Sequence, residues 1–329
     1  MNMKKVMVTG GAGLIGFEVC RQLAEQGHEV HMFDLGEQIL RIKHLIKDNN
    51  IKVFYGSILD PTSLRTTMAK CYVVIHLAAL LGVKRSEKER LHCIEINING
   101  TKNVLDCAIQ QGIKKIIFAS SSEVYGEPIK NPITEQFITQ GKTVYAVTKL
   151  AGEELCKAYA QIYPINYTIL RYFNCYGPYQ VAQFVITKFI RNVMHGRPPI
   201  IYGDGRQIRS YTYVSDIARA TIMSVFNDKA NSEIINVGNG EYPISLNDLA
   251  RMIIKIGGKE GVLSSEYRKD FNGSDRHEKR EIFERFCIAT KANDLLEWKA
   301  DVTLGEGIKK VFESGTIFDR WENLYDEGP

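Results

Sequence analysis

Long apolar runs are absent from this chain of 329 residues, and no segment approaches the roughly 18 unbroken apolar residues of a membrane span. Its cysteines, Cys20, Cys71, Cys93, Cys107, Cys156, Cys175 and Cys287, include no CxxC pair and no His/Cys spacing of a zinc site. That odd set reads as free thiols in a reducing, cytoplasmic compartment, with no metal. Only nine prolines occur and no tract is biased, which excludes a disordered chain. Charge of one sign is lacking too: 42 basic residues against 38 acidic ones leave +4, scattered rather than striped. Nucleic acid is therefore not an expected partner. The opening Met1-Asn2-Met3-Lys4-Lys5 lacks the apolar stretch and small-residue cleavage site of a secretory signal, and no membrane association is expected. At about 150 residues per domain the length suits two domains with ample core.

Short β-branched runs alternate with longer helical patterns through the first half, the signature of βαβ units and a parallel sheet. Strands are expected at Lys5–Thr9, Glu29–Phe33, Lys52–Tyr55, Val73–Leu77, Lys115–Ala119 and Asn166–Leu170. Helices are expected near Leu14–Glu25, Ser63–Ala69, Glu89–Gln110 and Val144–Ala160. After Gly177-Pro178 come a helix near Val185–His195, a turn at Gly203-Asp204-Gly205, a helix following Asp216, a strand at Glu233–Val237 and a helix opened by Ser245. No repeat or linker separates the halves, so the second is expected to pack directly on the first and leave a cleft. Residues 1–173 with 212–240 are expected to form the dinucleotide-binding domain, and 174–211 with 241–329 the substrate domain. From Gly315 onward periodicity fades, as in a loose tail.

Val6-Met7-Val8 leads into Thr9-Gly10-Gly11-Ala12-Gly13-Leu14-Ile15-Gly16 and then a helical pattern. Gly10 permits the tight turn, Gly13 a close backbone approach to a pyrophosphate, and Gly16 close helix–sheet packing, with the helix N-terminus facing the anion. Asp34 closes the second strand at the offset expected for a group accepting from the adenosine ribose hydroxyls. A carboxylate there repels a 2′-phosphate, so the cofactor is expected to be NAD. Further on, Tyr145 and Lys149 stand four residues apart on one face of a helix, where an ammonium can lower a phenol's pKa and let it take a proton from a substrate hydroxyl. The fifth strand runs out into Ser120-Ser121-Ser122-Glu123-Val124-Tyr125-Gly126 at the sheet edge where open α/β folds bind ligands.

Together with His76-Leu77-Ala78-Ala79, Asn97-Ile98-Asn99-Gly100-Thr101, Arg171 to Pro178 and Arg209 to Asp216, these segments resemble the extended short-chain dehydrogenase/reductases that modify nucleotide sugars. The resemblance spans nearly the whole chain. It implies a Rossmann-type doubly wound parallel sheet with a smaller mixed α/β C-terminal substrate domain, and NAD that removes a hydride from a sugar carbon, usually C4. Tyr145 then takes the hydroxyl proton, Lys149 supports it and holds the nicotinamide ribose, and Ser121 bonds the same sugar oxygen. Cofactor contacts are implied for Gly10, Gly13, Leu14, Ile15, Gly16, Asp34, Ser57, Ile58, Leu77, Ala78, Ala79, Asn97, Tyr145, Lys149 and Tyr172, although Ser57 stands where the family commonly has aspartate. Substrate contacts are implied for Lys84, Ser122, Asn174 and Arg209. Arg276, Arg280 and Arg285 compete for a second phosphate-binding arginine, with spacing favouring Arg285.

A 4-keto sugar can be epimerised, dehydrated or, with a C6 carboxylate, decarboxylated. Relatives that eliminate water carry an Asp-Glu pair where this chain has Ser122-Glu123, so dehydration is disfavoured. Glu123 with an arginine like Arg209 resembles UDP-glucuronate decarboxylases, while Gly82-Val83-Lys84-Arg85-Ser86 resembles a loop of uronate epimerases. The simplest chemistry is a 4-epimerase acting on a UDP-sugar, since the keto sugar can turn about its anchor and take the hydride back on its other face. Decarboxylation, net C4 oxidation and a non-catalytic NAD-binding sensor are the alternatives. A homodimer through Glu89–Gln110 and Val144–Ala160, and a place in surface polysaccharide biosynthesis, complete what the resemblance implies.

Overall fold

The computed structural model describes residues 3–181, 183–269 and 282–315. Strands β1 (Lys5–Thr9), β2 (Glu29–Asp34), β3 (Ile51–Tyr55), β4 (Val73–His76), β5 (Lys115–Ser121), β6 (Asn166–Tyr172) and β7 (Glu233–Val237) form one parallel sheet in the order β7-β6-β5-β4-β1-β2-β3. Their near-continuous apolar runs follow from burial on both faces. Val6, Val8, Val73, Ile75 and Ile117 point to one face, while Met7, Val74, Ile116 and Phe118 point to the other. The first face is covered by α1 (Leu14–Glu25) and α6 (Val214–Phe226). The second is covered by α2 (Pro61–Met68), α3 (Gly100–Gln110) and α4 (Val144–Ile162).

Strand order reverses between β1 and β4, which opens the crevice where such sheets hold ligands. Strands β5 and β6 run two residues past their expected ends, because Ser120 pairs with Arg171 and Ser121 with Tyr172 in the ladder. Polar residues there are buried by the site rather than turned to water. The expected helix Glu89–Gln110 is interrupted: Arg90–Ile94 passes through a π turn at Glu95–Asn99 before α3 begins, and the turn drives Asn97 into the interior.

Helices α5 (Val185–Met194), α7 (Leu246–Ile256) and α8 (Leu304–Ser314) enclose a second core with Tyr176, Ile201, Tyr211 and Tyr213. As expected, Ser245 opens α7, its Oγ accepting from the Asp248 amide at 3.1 Å. Ala292, Leu296 and Trp298, in contrast, return to the first core. A three-stranded sheet places Ile208–Arg209 between Ile244–Ser245 and Glu284–Arg285, with Arg285 in parallel register beside Arg209. Residues from 316 onward, where a tail is expected, lie outside the described residues.

Helix α4 reaches the sheet through Gly152, where an added Cβ would come within 2.2 Å of Phe118 Cζ. Gly152→Ala is expected to cost ~1–3 kcal/mol through overpacking, outweighing alanine's helix propensity of roughly 1 kcal/mol. A lower urea midpoint with unchanged slope would show it.

Candidate active site

Gly10 takes φ +69°, and a Cβ there would lie 2.7 Å from the Ala78 amide nitrogen. The backbone after β1 therefore touches the backbone after β4, which only glycine allows. At Gly16 an added Cβ would fall 2.0 Å from the Gly10 carbonyl oxygen, so α1 can start directly over the turn. Gly13 caps α1 without a side-chain partner, and no acid occupies the first turn. The amides at that end remain available to an anion, favoured by the helix dipole.

Asp34 Oδ2 accepts from the Ala12 amide at 2.9 Å and Oδ1 from the Leu35 amide at 2.8 Å, which orients the carboxylate at the end of β2. Burial raises its pKa, opposed by those two amides. Glu37 lines the same end of the cleft, so a 2′-phosphate would meet two carboxylates. Ser57, Ile58, Leu77, Ala78, Ala79 and Tyr172 line it as well, and Ser57 Oγ accepts from the Leu59 amide at 3.1 Å. These donors, glycines and the acid fit NAD. Asn97 stands apart: it does not line the cleft, but its amide accepts from Leu80 N at 2.7 Å and donates to Leu80 O and Thr148 Oγ1, each at 3.0 Å. Its place is to staple the backbone after β4 to α4. His76 does similar work, its Nδ1 lying 2.7 Å from Thr9 Oγ1 and its Nε2 3.0 Å from Thr101 Oγ1. Burial, then the charge of Lys149, pushes His76 down to about 3, so it stays neutral.

The cleft, about 740 Å³, continues past the end of β5 to the second core. Thr143 caps α4 by accepting from the Ala146 amide at 3.1 Å, and this sets the first turn that carries Tyr145. Lys149 Nζ lies 5.7 Å from the centre of the Tyr145 ring, and the Ser121 hydroxyl, which accepts from the Glu123 amide at 3.2 Å, is close enough to Tyr145 to act on its pKa. The expected lowering of the tyrosine pKa is not found in the chain by itself. Burial of the phenol, followed by the negative charge of Glu123, raises it, and the Ser121 hydrogen bond opposes only in part. Lys149 is itself pushed down to about 8 by burial. Burial strips water from both groups, and this is the largest cause of both shifts.

Beyond Tyr145, Arg285 Nη2 donates to Glu123 Oε1 at 2.6 Å. Arg285 is 1% exposed, and its Nε and Nη1 have no partner among the described residues. Arg209 is held by backbone carbonyls. Its Nη1 donates to the carbonyls of Ile208 at 2.8 Å and Phe283 at 3.2 Å, and Nη2 to Ile282 at 2.5 Å, so it anchors the strand that presents Arg285. Both arginines, Ser122 and Asn174 line the cleft, and Asn174 Nδ2 donates to Ser210 O at 2.8 Å. Lys84 is exposed and off the wall, whereas Arg85 is on it, because the short helix Val83–Lys88 turns adjacent residues to different sides. Gln183 and Gln207 also line the cleft, and no local spacing singled them out. Arg276 and Arg280 lie outside the described residues.

Residues 6–238 match the model of a family described as the NAD dependent epimerase/dehydratase family. The chain is 35% identical over 319 residues to a UDP-N-acetyl-alpha-D-glucosaminuronate decarboxylase of Bacillus cytotoxicus, covering 94% of this chain and 97% of the relative. It is 32% identical to a UDP-glucuronate 4-epimerase of Thermodesulfobacterium geofontis, covering 93% and 94%. A solved UDP-glucuronic acid 4-epimerase from Bacillus cereus, in complex with UDP-glucuronic acid and NAD, superposes with a TM-score of 0.85 at 30% identity, covering 94% of this chain and 98% of that one.

A lysine whose folded pKa lies below its ordinary value of 10.5 carries a cost that is fully present below about pH 8 and relieved as pH rises toward 10.5. Lys149→Met is therefore expected to raise the urea midpoint at pH 7, with the gain fading by pH 10. Turnover should fall in the same variant, since a buried ammonium is retained there for chemistry.

Proposed function

The chain belongs to the NAD dependent epimerase/dehydratase family, and from that membership we propose that it oxidises a UDP-linked sugar at C4 and returns the hydride to the other face, as a UDP-sugar 4-epimerase. NAD, when bound, supplies the hydride acceptor and donor. Tyr145 takes the proton of the C4 hydroxyl, Ser121 holds that oxygen, and Lys149 supports the phenolate. The observation that carries this reading is the gathering of Ser121, Tyr145 and Lys149 on the wall of the cleft that the glycine cradle opens, with Lys149 Nζ 5.7 Å from the centre of the Tyr145 ring. Elimination of water finds no acid beside them: Ser122 is buried where relatives that dehydrate carry aspartate, and Glu123 is engaged by Arg285.

One observation favours a second reading. Arg285 brings a buried guanidinium to the cleft, and its Nε and Nη1, themselves shielded from solvent, have no partner among the described residues, which leaves donors that a carboxylate entering there could engage. A uronate bound there and oxidised at C4 would be set up to lose its C6 carboxylate, in keeping with the name of the decarboxylase relative.

The same helices support self-association. Leu91 is 83% exposed, Ile94 40% and Val147 53%, on the adjacent Arg90–Ile94 and α4 segments, and a second copy of the chain would cover them. All seven thiols are free, which suits the cytoplasm, and among the described residues no helix is long and apolar enough to cross a membrane.

Incubation with UDP-glucose, UDP-N-acetylglucosamine and UDP-glucuronate, followed by proton NMR and absorbance at 340 nm, separates the readings. A C4-inverted sugar without net NADH is expected. A pentose product from the uronate would establish the second reading, and no reaction with any of the three would count against both. Tyr145→Phe should lower turnover by about 10²–10⁴-fold while leaving NAD affinity unchanged. Leu91→Asp with Val147→Asp should convert a dimer to a monomer in light scattering, and a wild-type monomer would refute self-association.

A further inference from the structure

The loop that carries Ser121, Ser122 and Glu123 is flanked by Ser120 and Tyr125, and both flanking side chains end on one buried ion pair. Ser120 Oγ donates to Glu153 Oε1 at 2.5 Å. Arg171 Nε donates to the same oxygen at 2.9 Å and Nη2 to Glu153 Oε2 at 2.6 Å. Arg171 Nη1 donates to the Tyr125 hydroxyl oxygen at 2.9 Å, and that hydroxyl donates to Asn236 Oδ1 at 2.7 Å. The guanidinium also faces the Tyr125 ring, 4.8 Å from its centre. Glu153 is 1% exposed and Arg171 4%.

Four elements of secondary structure meet in this cluster. Glu153 stands one helical turn beyond Lys149 on α4. Arg171 stands on β6, in register with Ser120 on β5 and with Asn236 on β7. The pair is therefore fixed to the same helix as Tyr145 and to the same sheet edge as Ser121. A buried ion pair is rarely more stable than well-packed apolar residues of the same volume, because both ions lose their hydration. Its distinctive property is direction: a bidentate carboxylate–guanidinium contact with further donors and acceptors satisfied admits one arrangement of the groups around it.

We propose that Glu153 and Arg171 are positioning residues that clamp both ends of the 120–126 loop and so hold Ser121 against Tyr145 and Glu123 against Arg285. Neither residue is among those lining the cleft, so neither is placed to touch substrate. The clamp explains why β5 and β6 continue their ladder through Ser120 and Arg171 into polar sequence. Its catalytic consequence rests on the reading above, in which Ser121 and Tyr145 handle the C4 hydroxyl. Misplacement of such a pair by about 1 Å is enough to cost on the order of a hundredfold in rate.

Tyr125→Phe tests the clamp most cleanly, since it keeps the ring and removes only the hydroxyl that joins the loop to Arg171. Hydrogen–deuterium exchange of the 120–126 segment is expected to rise at least about tenfold in the folded variant. With an NAD-loaded enzyme, kcat and the single-turnover rise at 340 nm should fall by about tenfold, with KM within about twofold and NAD affinity unchanged. Glu153→Gln should act in the same direction and more strongly, and if it does not fold, Tyr125→Phe decides. Unchanged exchange in the loop, or kcat within about twofold of wild type in folded Tyr125→Phe, overturns the proposal. A wild-type enzyme that reduces no bound NAD with any of the sugars tested overturns the proposed function instead, and the exchange measurement then judges the clamp on its own.

Discussion

Seven parallel strands leave all their carboxyl ends on one edge of the sheet, and the site depends on that constraint. Gly10 follows β1, Asp34 ends β2, Leu77 follows β4, Ser121 ends β5 and Tyr172 ends β6. Residues scattered through the first half of the chain are thereby gathered on one line. The reversal of strand order between β1 and β4 opens a crevice on that line, and the contact of Gly10 with Ala78 closes its floor to side chains. The second core, built from α5, α7 and α8, supplies the opposite wall, so the cleft runs from the strand ends of the sheet to that core.

Desolvation is the common currency of the polar groups in the cleft. Tyr145 is raised and Lys149 lowered by the same burial, so neither holds its charged form comfortably in the chain alone. Such a pair is poorly suited to stabilising the fold and well suited to responding when an ionic cofactor enters. Around it, charges that do persist are satisfied by specific partners: Glu123 by Arg285, Glu153 by Arg171, and Arg209 by carbonyl oxygens of the strand that carries Arg285. The two arginines lie in register on paired strands, one held by backbone carbonyls and the other by a carboxylate.

On the proposed reading, C4 oxidation rests on Tyr145, Ser121 and Lys149, and the fate of the keto sugar turns on residues nearby. Ser122 offers a hydroxyl rather than a carboxyl there. Arg285 offers a cation with donors to spare, which bears on whether the sugar carries a carboxylate. On that reading, epimerisation and decarboxylation would differ through substrate recognition more than through the Tyr145–Ser121 chemistry.

The sequence by itself determined whatever depends on local spacing. Alternating strands and helices predict the parallel sheet, the glycines at 10, 13 and 16 predict the dinucleotide turn, and Tyr145 with Lys149 predicts a proton-handling face, because each pattern lies within one or two elements. Only the tertiary structure decided which distant residues meet. Arg285 joins Glu123 because a short strand from late in the chain pairs with Ile208–Arg209, and no spacing encodes that register. Asn97 leaves the cleft wall because a π turn rotates it inward, and Arg85 rather than Lys84 reaches the wall because of a short helix that the sequence pattern does not show. The direction of the Tyr145 shift was likewise illegible: spacing reports the nearby ammonium, whereas the larger effect is loss of water from the phenol, a property of everything packed around it.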